Sequence, residues 1–420
     1  MRILVVSQFF APEMGAPAAR FHDFGKLLVA RGHAVTVLTG LPNSPSGVIP
    51  DAYRGRLAMR ETIDGIEVLR GWLYASPRLT KLAKVGGFAS FAASASLQAL
   101  LRRVRADVVV ATSPPPTVGV PGMVLARRLG APLVFDVRDI WPEAIAASGR
   151  LQSGTLIRVL ERLERALYAA SAAVTVVTEG KRERLIEKGV PAANVHVIPN
   201  GVDLRRFEDQ APLAEAAWRA LGLDADRFTL VYAGIMNPPQ GLDVLLDAAA
   251  ALRASAPALA GRFQLALVGA GSERARLETR VRGEALGDLV RFVAEQPRDA
   301  IPALLRRADA IAVTLRPRKD THTVPSKLYE AMASGRPILV SADGAPAAIA
   351  HEAKAGLATP AADAPALARS IRTLLEDPAQ AAAFGAAGRA YAADFDRGRL
   401  VERFEAVLRD VVEASATRRA

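Results

Sequence analysis

At 420 residues the chain is longer than one ordinary hydrophobic core supports, and it suits two domains of comparable size. Hydrophobic residues make up 50% and charged residues 23%, a globular balance, while 54 Lys plus Arg against 43 Asp plus Glu leave a net charge of +11. With no cysteine, disulfides, a thiolate nucleophile and a zinc–thiolate centre are excluded, and no basic run carries the interleaved aromatics of a nucleic-acid binder.

The basic excess suits anionic substrates or an anionic membrane surface, although many arginines stand in mixed-sign stretches such as "EGKRERLIEKG". The five histidines form no i,i+3 or i,i+4 pair, so no sequence-local metal site is expected. "RILVVS" reads as a buried first strand rather than a secretory leader, being too short for an apolar leader core. Val108 to Ala126 is free of charge, but Pro114, Pro115, Pro116 and Pro121 exclude a spanning helix. The cytoplasm is the expected compartment.

In chain order, the first strand leads through the loop "QFFAPEMGAPA" into a helix over 19–32 that ends at Gly32. "HAVTVLT" is the next strand, "ADVVVAT" runs into the proline loop "SPPPTVG", and "APLVFDV" runs into "RDIWPEA". A second series begins near Phe228: strand "FTLVYAG", loop "IMNPPQ", helix "GLDVLLDAAAALRA", then strand "FQLALVG" and helix "AGSERARLETRVRG". "LVRFVAEQ", "DAIAVTLR", "RPILVSA" and "AGLATP" add short strands, and the chain closes in two helices from Gly388. Such alternation predicts α/β architecture, with parallel sheets and crossover helices. Ligands then sit beyond the carboxyl ends of strands, at the loops after Ser7, Thr112 and Val137.

Candidate residues cluster in three places. Gly15 precedes a helix, and Gly269 and Gly271 follow a strand, where backbone N–H groups can meet phosphate or simply make a tight turn. The third glycine of a dinucleotide fingerprint is missing after "GAG". "FDVRDIWPEA" sets Asp136, Arg138, Asp139, Trp141 and Glu143 at a strand's carboxyl end, a functional place or a local ion pair. "RPRKDTHTVPSKLYEAMASGRPIL" runs a basic loop with His322 through Pro325 and Ser326 into a helix carrying Lys327 and Glu330. A cation in a helix's first turn gains nothing from the dipole, so a phosphate partner would explain Lys327.

"IPNGVD", "GAGSERARL" and "VPSKLYEAMASGRPIL", in this order and spacing, resemble the retaining glycosyltransferases of family 4. "SQFFAPEMGAPAARFHDF", "TSPPPTVG" and "FDVRDIWPEA" resemble the branch that builds O-antigen, capsule or colanic-acid repeat units, including N-acetyl-fucosaminyl transferases. The resemblance covers nearly the whole chain. It implies the GT-B fold: two facing Rossmann-like domains with parallel sheets and an interdomain cleft. Residues 1–203 would form the acceptor-binding domain and 204–389 the nucleotide-sugar-binding domain, with the 390–420 helices packing back towards the first.

Residue by residue, the resemblance makes Glu330 the ribose-binding acid, the second of an E-x7-E pattern whose first position is here His322. Thr323, Val324 and Pro325 would line the sugar through their backbone. Ile235 and Gln240 stand where many members carry Arg and Lys, so the diphosphate falls to Lys327, Arg316 and Arg318, with Ser326 and the N–H groups of Gly269 to Ser272. Gly15 and Ala16 match a turn near the diphosphate. Asp136 matches a position occupied by His in some relatives, and with His322 and Asp139 it completes the expected catalytic set. The implied reaction uses a UDP-sugar donor, no metal, and a polyprenyl-diphosphate-linked sugar acceptor. The alternatives are a GT-B nucleotide-sugar epimerase and a non-catalytic scaffold that binds nucleotide-sugar.

Val85 to Leu101 carries no charge and lies between Arg78, Lys81 and Lys84 on one side and Arg102, Arg103 and Arg105 on the other. Seventeen residues, many of them small, are too few to span a bilayer. Two readings remain, a crossover helix and a docking element with Phe88, Phe91, Leu97 and Leu100 on its apolar face. The second places the protein peripherally on the inner membrane through 78–105.

Overall fold

The computed structural model describes residues 1–13, 16–44, 46–78, 80–101, 103–141, 143, 154–317 and 322–418. Two compact units emerge: Met1–Asn200 together with Arg397–Ala420, and Gly201–Asp396.

The first unit is built on a sheet of β1 (Arg2–Val6), β2 (Ala34–Gly40), β3 (Ala58–Ile63), β4 (Ile66–Gly71), β5 (Val108–Ser113), β6 (Leu133–Val137), β7 (Ala173–Val176) and β8 (Val195–Val197). The order is β3-β4-β2-β1-β5-β6-β7-β8, parallel except for the β3–β4 pair. β1 shows why its residues are apolar throughout. Ile3 and Val5 face a layer with helix α1 (Ala16–Ala30) and the last helix, Arg397–Thr417, while Leu4 and Val6 face α2 (Lys81–Leu101) and α3 (Gly119–Leu129). A strand covered on both faces has no polar side to show.

The antiparallel β3–β4 hairpin departs from the predicted alternation. Its turn is Asp64-Gly65, both with positive φ (48° and 79°), the Asp-Gly pair that two-residue hairpins prefer. The signal is local to the sequence, where Asp64-Gly65 lies between two apolar alternations.

The last helix is held to the first unit by charge as well as by Leu400, Val401, Phe404 and Leu408. Glu405 accepts from Arg31 at 2.5 Å and pairs with His33 at 2.9 Å, and Arg397 is bonded to Asp23. In α2, the positions Gly87, Phe91, Ala95 and Ala99 recur every fourth residue and are buried. The expected apolar face is thereby divided: Phe91 belongs to the core, and Phe88 packs edge-on against Trp141 at 6.3 Å. Leu97 and Leu100 join Leu82, Val85 and Leu101 on the exposed side. Among the described residues no helix is long and apolar enough to cross a membrane.

The second unit carries β9 (Phe228–Ala233), β10 (Phe263–Val268), β11 (Val290–Val293), β12 (Ala310–Thr314), β13 (Ile338–Ser341) and β14 (Gly356–Thr359), ordered β11-β10-β9-β12-β13-β14 and parallel throughout. Leu230 and Tyr232 face one apolar layer and Val231 the other, the same two-sided burial as in β1. Both units are therefore Rossmann-like α/β domains.

Candidate functional site

In the second unit, the carboxyl ends of the adjacent strands β9 and β12 meet the short helix Lys327–Ala333. Lys327 reaches back over this edge. Its Nζ donates to the Tyr232 hydroxyl at 2.6 Å and to Gln240 Oε1 at 2.8 Å, and lies 4.0 Å from the Tyr232 ring centroid. The Tyr232 hydroxyl in turn donates to the Ile235 carbonyl at 2.8 Å. No side-chain carboxylate among the described residues pairs directly with the ammonium; its partners are neutral oxygens and a π-face. Burial lowers its pKa to about 7, with Glu330 pulling the other way.

Glu330, one turn on, joins Lys327, Gly234, Ala233, Ile301 and Leu305 around a cavity of about 120 Å³. Gly234 matters here for space, since a Cβ on it would lie 3.0 Å from Lys327 Nζ. Gln240, expected at a diphosphate-binding position, thus holds Lys327. Sequence reading missed Tyr232, because an aromatic inside a buried strand looks like core until a cation is placed on it.

Gly269 and Gly271 prove to be close-approach glycines. A Cβ on Gly269 would sit 2.2 Å from the Gly234 carbonyl, and one on Gly271 2.2 Å from that of Met236. The N–H of Gly269, expected to face phosphate, is bonded to the Val293 carbonyl at 3.2 Å, so it is spent within the sheet edge. Arg316 is exposed, and its own N–H bonds the Pro239 carbonyl at 3.0 Å, which sets its backbone beside the Pro238–Gln240 turn. Arg318 lies outside the described residues. His322, Thr323, Pro325 and Ser326 are half-buried in the approach to the helix, while the Val324 side chain is core. Ser326 makes no capping bond with its side chain, and the helix has only seven residues.

In the first unit, Asp136 is not where a sugar can reach it. It has zero exposure, and both its oxygens are used: Arg20 at 3.2 Å and Thr175 at 2.8 Å on one, Thr112 at 2.9 Å on the other. With both oxygens taken by neighbouring side chains, Asp136 inside β6 has none free for a sugar, contrary to the expectation of contact with the reacting sugar. Arg20, 116 positions away on α1, carried no local signal of this role. Asp139 is half-buried and accepts from Lys181 at 3.3 Å. Gly15 lies outside the described residues; Ala16 opens α1, and its side chain is likewise outside them. No three His, Cys, Asp or Glu side chains gather into a metal-ligand group among the described residues.

Residues 15–201 match the "Glycosyl transferase 4-like domain" family, and residues 215–391 match "Glycosyl transferases group 1". The chain belongs to the GT-B glycosyltransferases. This glycosyltransferase is 28% identical over 349 residues to an Escherichia coli K12 protein named for a glycosyl transferase of colanic acid biosynthesis, covering 82% of this chain and 84% of that one. It is 29% identical over 273 residues to the GDP-mannose-dependent alpha-(1-6)-phosphatidylinositol monomannoside mannosyltransferase of Mycolicibacterium smegmatis, covering 64% and 68%. Its fold resembles that of Anabaena HepE in complex with UDP-glucose, with a TM-score of 0.69 at 20% identity over 99% of this chain and 100% of that one.

Proposed function

We propose that this glycosyltransferase retains anomeric configuration while moving a sugar from a UDP-sugar to a polyprenyl-diphosphate-linked sugar in bacterial surface polysaccharide biosynthesis. The second unit takes the donor and the first unit the acceptor. The observation that carries the reading is Lys327: a half-buried lysine whose ammonium bonds only neutral oxygens among the described residues, beside a carboxylate and an open cavity. A diphosphate supplies the missing negative charge, and Glu330 accepts from ribose hydroxyls. As the glycosidic bond to the diphosphate breaks, charge grows on the leaving oxygen, and a preplaced cation stabilises it without reorganising. The reading gives that task to Lys327, helped by Arg316 and, on the sequence resemblance, Arg318, and to no metal ion.

The choice of uridine is supported by the Anabaena neighbour, and the mycobacterial relative makes guanosine donors the necessary comparison. N-acetyl-fucosamine is the sugar to test first, on the resemblance of the N-terminal motifs. The lipid acceptor gives the exposed side of α2 a purpose, docking 78–105 on an anionic inner leaflet, where each basic residue contributes about 1 kcal/mol. Nucleotide release should be measured over a panel of UDP- and GDP-sugars, with and without a polyprenyl-diphosphate-linked acceptor. Acceptor-dependent UDP release, with the donor's anomeric configuration kept in the product by NMR, supports the proposal. Turnover without acceptor, or only with GDP-sugars, overturns it.

A further inference from the structure

The carboxyl edge of the first sheet buries more positive charge than its acids answer. Arg20, Arg138 and Lys181 are only 4%, 9% and 2% exposed. Asp136 is committed to Arg20, and Asp139 to Lys181, whose Nζ also bonds the Arg138 carbonyl. That leaves Arg138 with no carboxylate of its own among the described residues, and its Nε has no hydrogen-bond partner. Burial, and after it the charge of Arg20, lower the Arg138 pKa to about 10, although the charges of Asp136 and Asp139 pull the other way. A guanidinium so placed stays charged at neutral pH and weakens the fold unless an anion joins it.

A neighbouring turn carries a further unanswered polar atom. Thr117, after β5, has a buried side-chain hydroxyl without a partner, a donor that an anion can use. Because β5 and β6 are adjacent in the sheet, Thr117 and Arg138 share one edge, the edge at which parallel sheets bind ligands. An arginine fork suits the paired oxygens of a phosphoryl group better than a lysine does.

We propose that Arg138, backed by Arg20, is an anion-binding group of the first unit that takes a phosphoryl group of the acceptor. This rests on the reading of the first unit as the acceptor half, and it adds which residue meets the acceptor's diphosphate. Arg138 is then kept for binding against its cost to the unliganded fold.

The test uses the full chain with saturating UDP, so that the donor site is filled, and inorganic pyrophosphate as the probe in calorimetric titration. The wild type should bind pyrophosphate, Arg138→Gln should lose at least tenfold, and Arg138→Lys should lose less. The melting temperature of unliganded Arg138→Gln should be equal to or above that of the wild type, which a structural arginine would not allow. Equal pyrophosphate affinity in wild type and Arg138→Gln, or no binding by the UDP-saturated wild type, overturns the proposal. So does a loss of UDP affinity in Arg138→Gln that spares uridine, which would move the residue to the donor. If Arg138→Gln does not fold, the wild type decides: at saturating donor, pyrophosphate must raise the KM for the lipid acceptor. Failure of the acceptor reading itself shows separately, as absent turnover with the polyprenyl-diphosphate acceptor while pyrophosphate binding persists.

Discussion

Replacing Lys327 by Met removes a charge and keeps the length of the side chain, so it separates what the lysine does for the fold from what it does for a ligand. Its pKa falls from 10.5 to about 7 on folding, chiefly through burial. One pKa unit corresponds to about 1.4 kcal/mol, so the half-buried ammonium costs the fold at most about 4 kcal/mol at neutral pH, less whatever solvent screening returns. Losing the bonds to Tyr232 and Gln240 costs about 1 kcal/mol each, which leaves a net gain of about 1–2 kcal/mol for Lys327→Met.

The sign with pH follows from proton counts. Between about pH 7 and 10.5 the unfolded chain binds the proton and the folded one does not, so wild-type stability rises over that interval. The advantage of the Met variant should shrink by the same amount. A diphosphate reverses the balance by favouring the ammonium. Wild-type affinity for UDP should therefore fall at least fivefold from pH 7.5 to 9, whereas the Met variant should bind UDP weakly and independently of pH. Chemical denaturation and calorimetric titration across that range measure both. A flat wild-type affinity, or an unchanged ratio of uridine to UDP affinity in the variant, would refute the assignment.

Glu330→Ala should weaken uridine and UDP alike, by about 2–3 kcal/mol for a charged acceptor of buried hydroxyls, and unchanged titration curves would remove it from the ribose. Asp136→Asn leaves Arg20 buried without its carboxylate and should cost about 3–5 kcal/mol in urea unfolding; a lost turnover with unaltered stability would return it to the substrate. At Glu405, burial opposes ionisation, but hydrogen bonds from Arg409, Arg31 and His33 outweigh it and hold the pKa at about 2. Its contribution, about 3 kcal/mol at neutral pH, is complete above about 4.5 and is lost as pH falls towards 2, so the stability gap to Glu405→Gln should shrink by more than half between pH 7 and pH 3. Flotation with anionic liposomes should recover the protein at low salt and fail when Lys84, Arg103 and Arg105 become Glu; equal recovery with neutral liposomes would leave α2 as a crossover helix alone.

Hydrophobic periodicity was enough for the architecture. Apolar β-branched runs separated by amphipathic stretches can bury both faces of a strand only in a parallel sheet with helices on each side. The β3–β4 hairpin was legible as well, since Asp64-Gly65 is a local signal that needs no partner. Lys327 and Glu330 stood out because a cation and an acid one turn apart follow a basic loop, an arrangement contained within a few residues.

What the sequence withheld were relations between distant residues. Nothing near Tyr232 announces that a lysine 95 positions away will lie over its ring. Gly269 looked like a phosphate loop, yet its conformation is demanded by the Gly234 carbonyl, which only the docking of two loops brings to 2.2 Å from a side chain there. Asp136 kept its acidic character but lost its access, because Arg20, Thr112 and Thr175 converge on it from three other elements. Residue type determines what charge and hydrogen bonds a position can offer. Whether that charge is spent on the protein or left for a ligand depends on contacts made through space, and tertiary packing alone decides those.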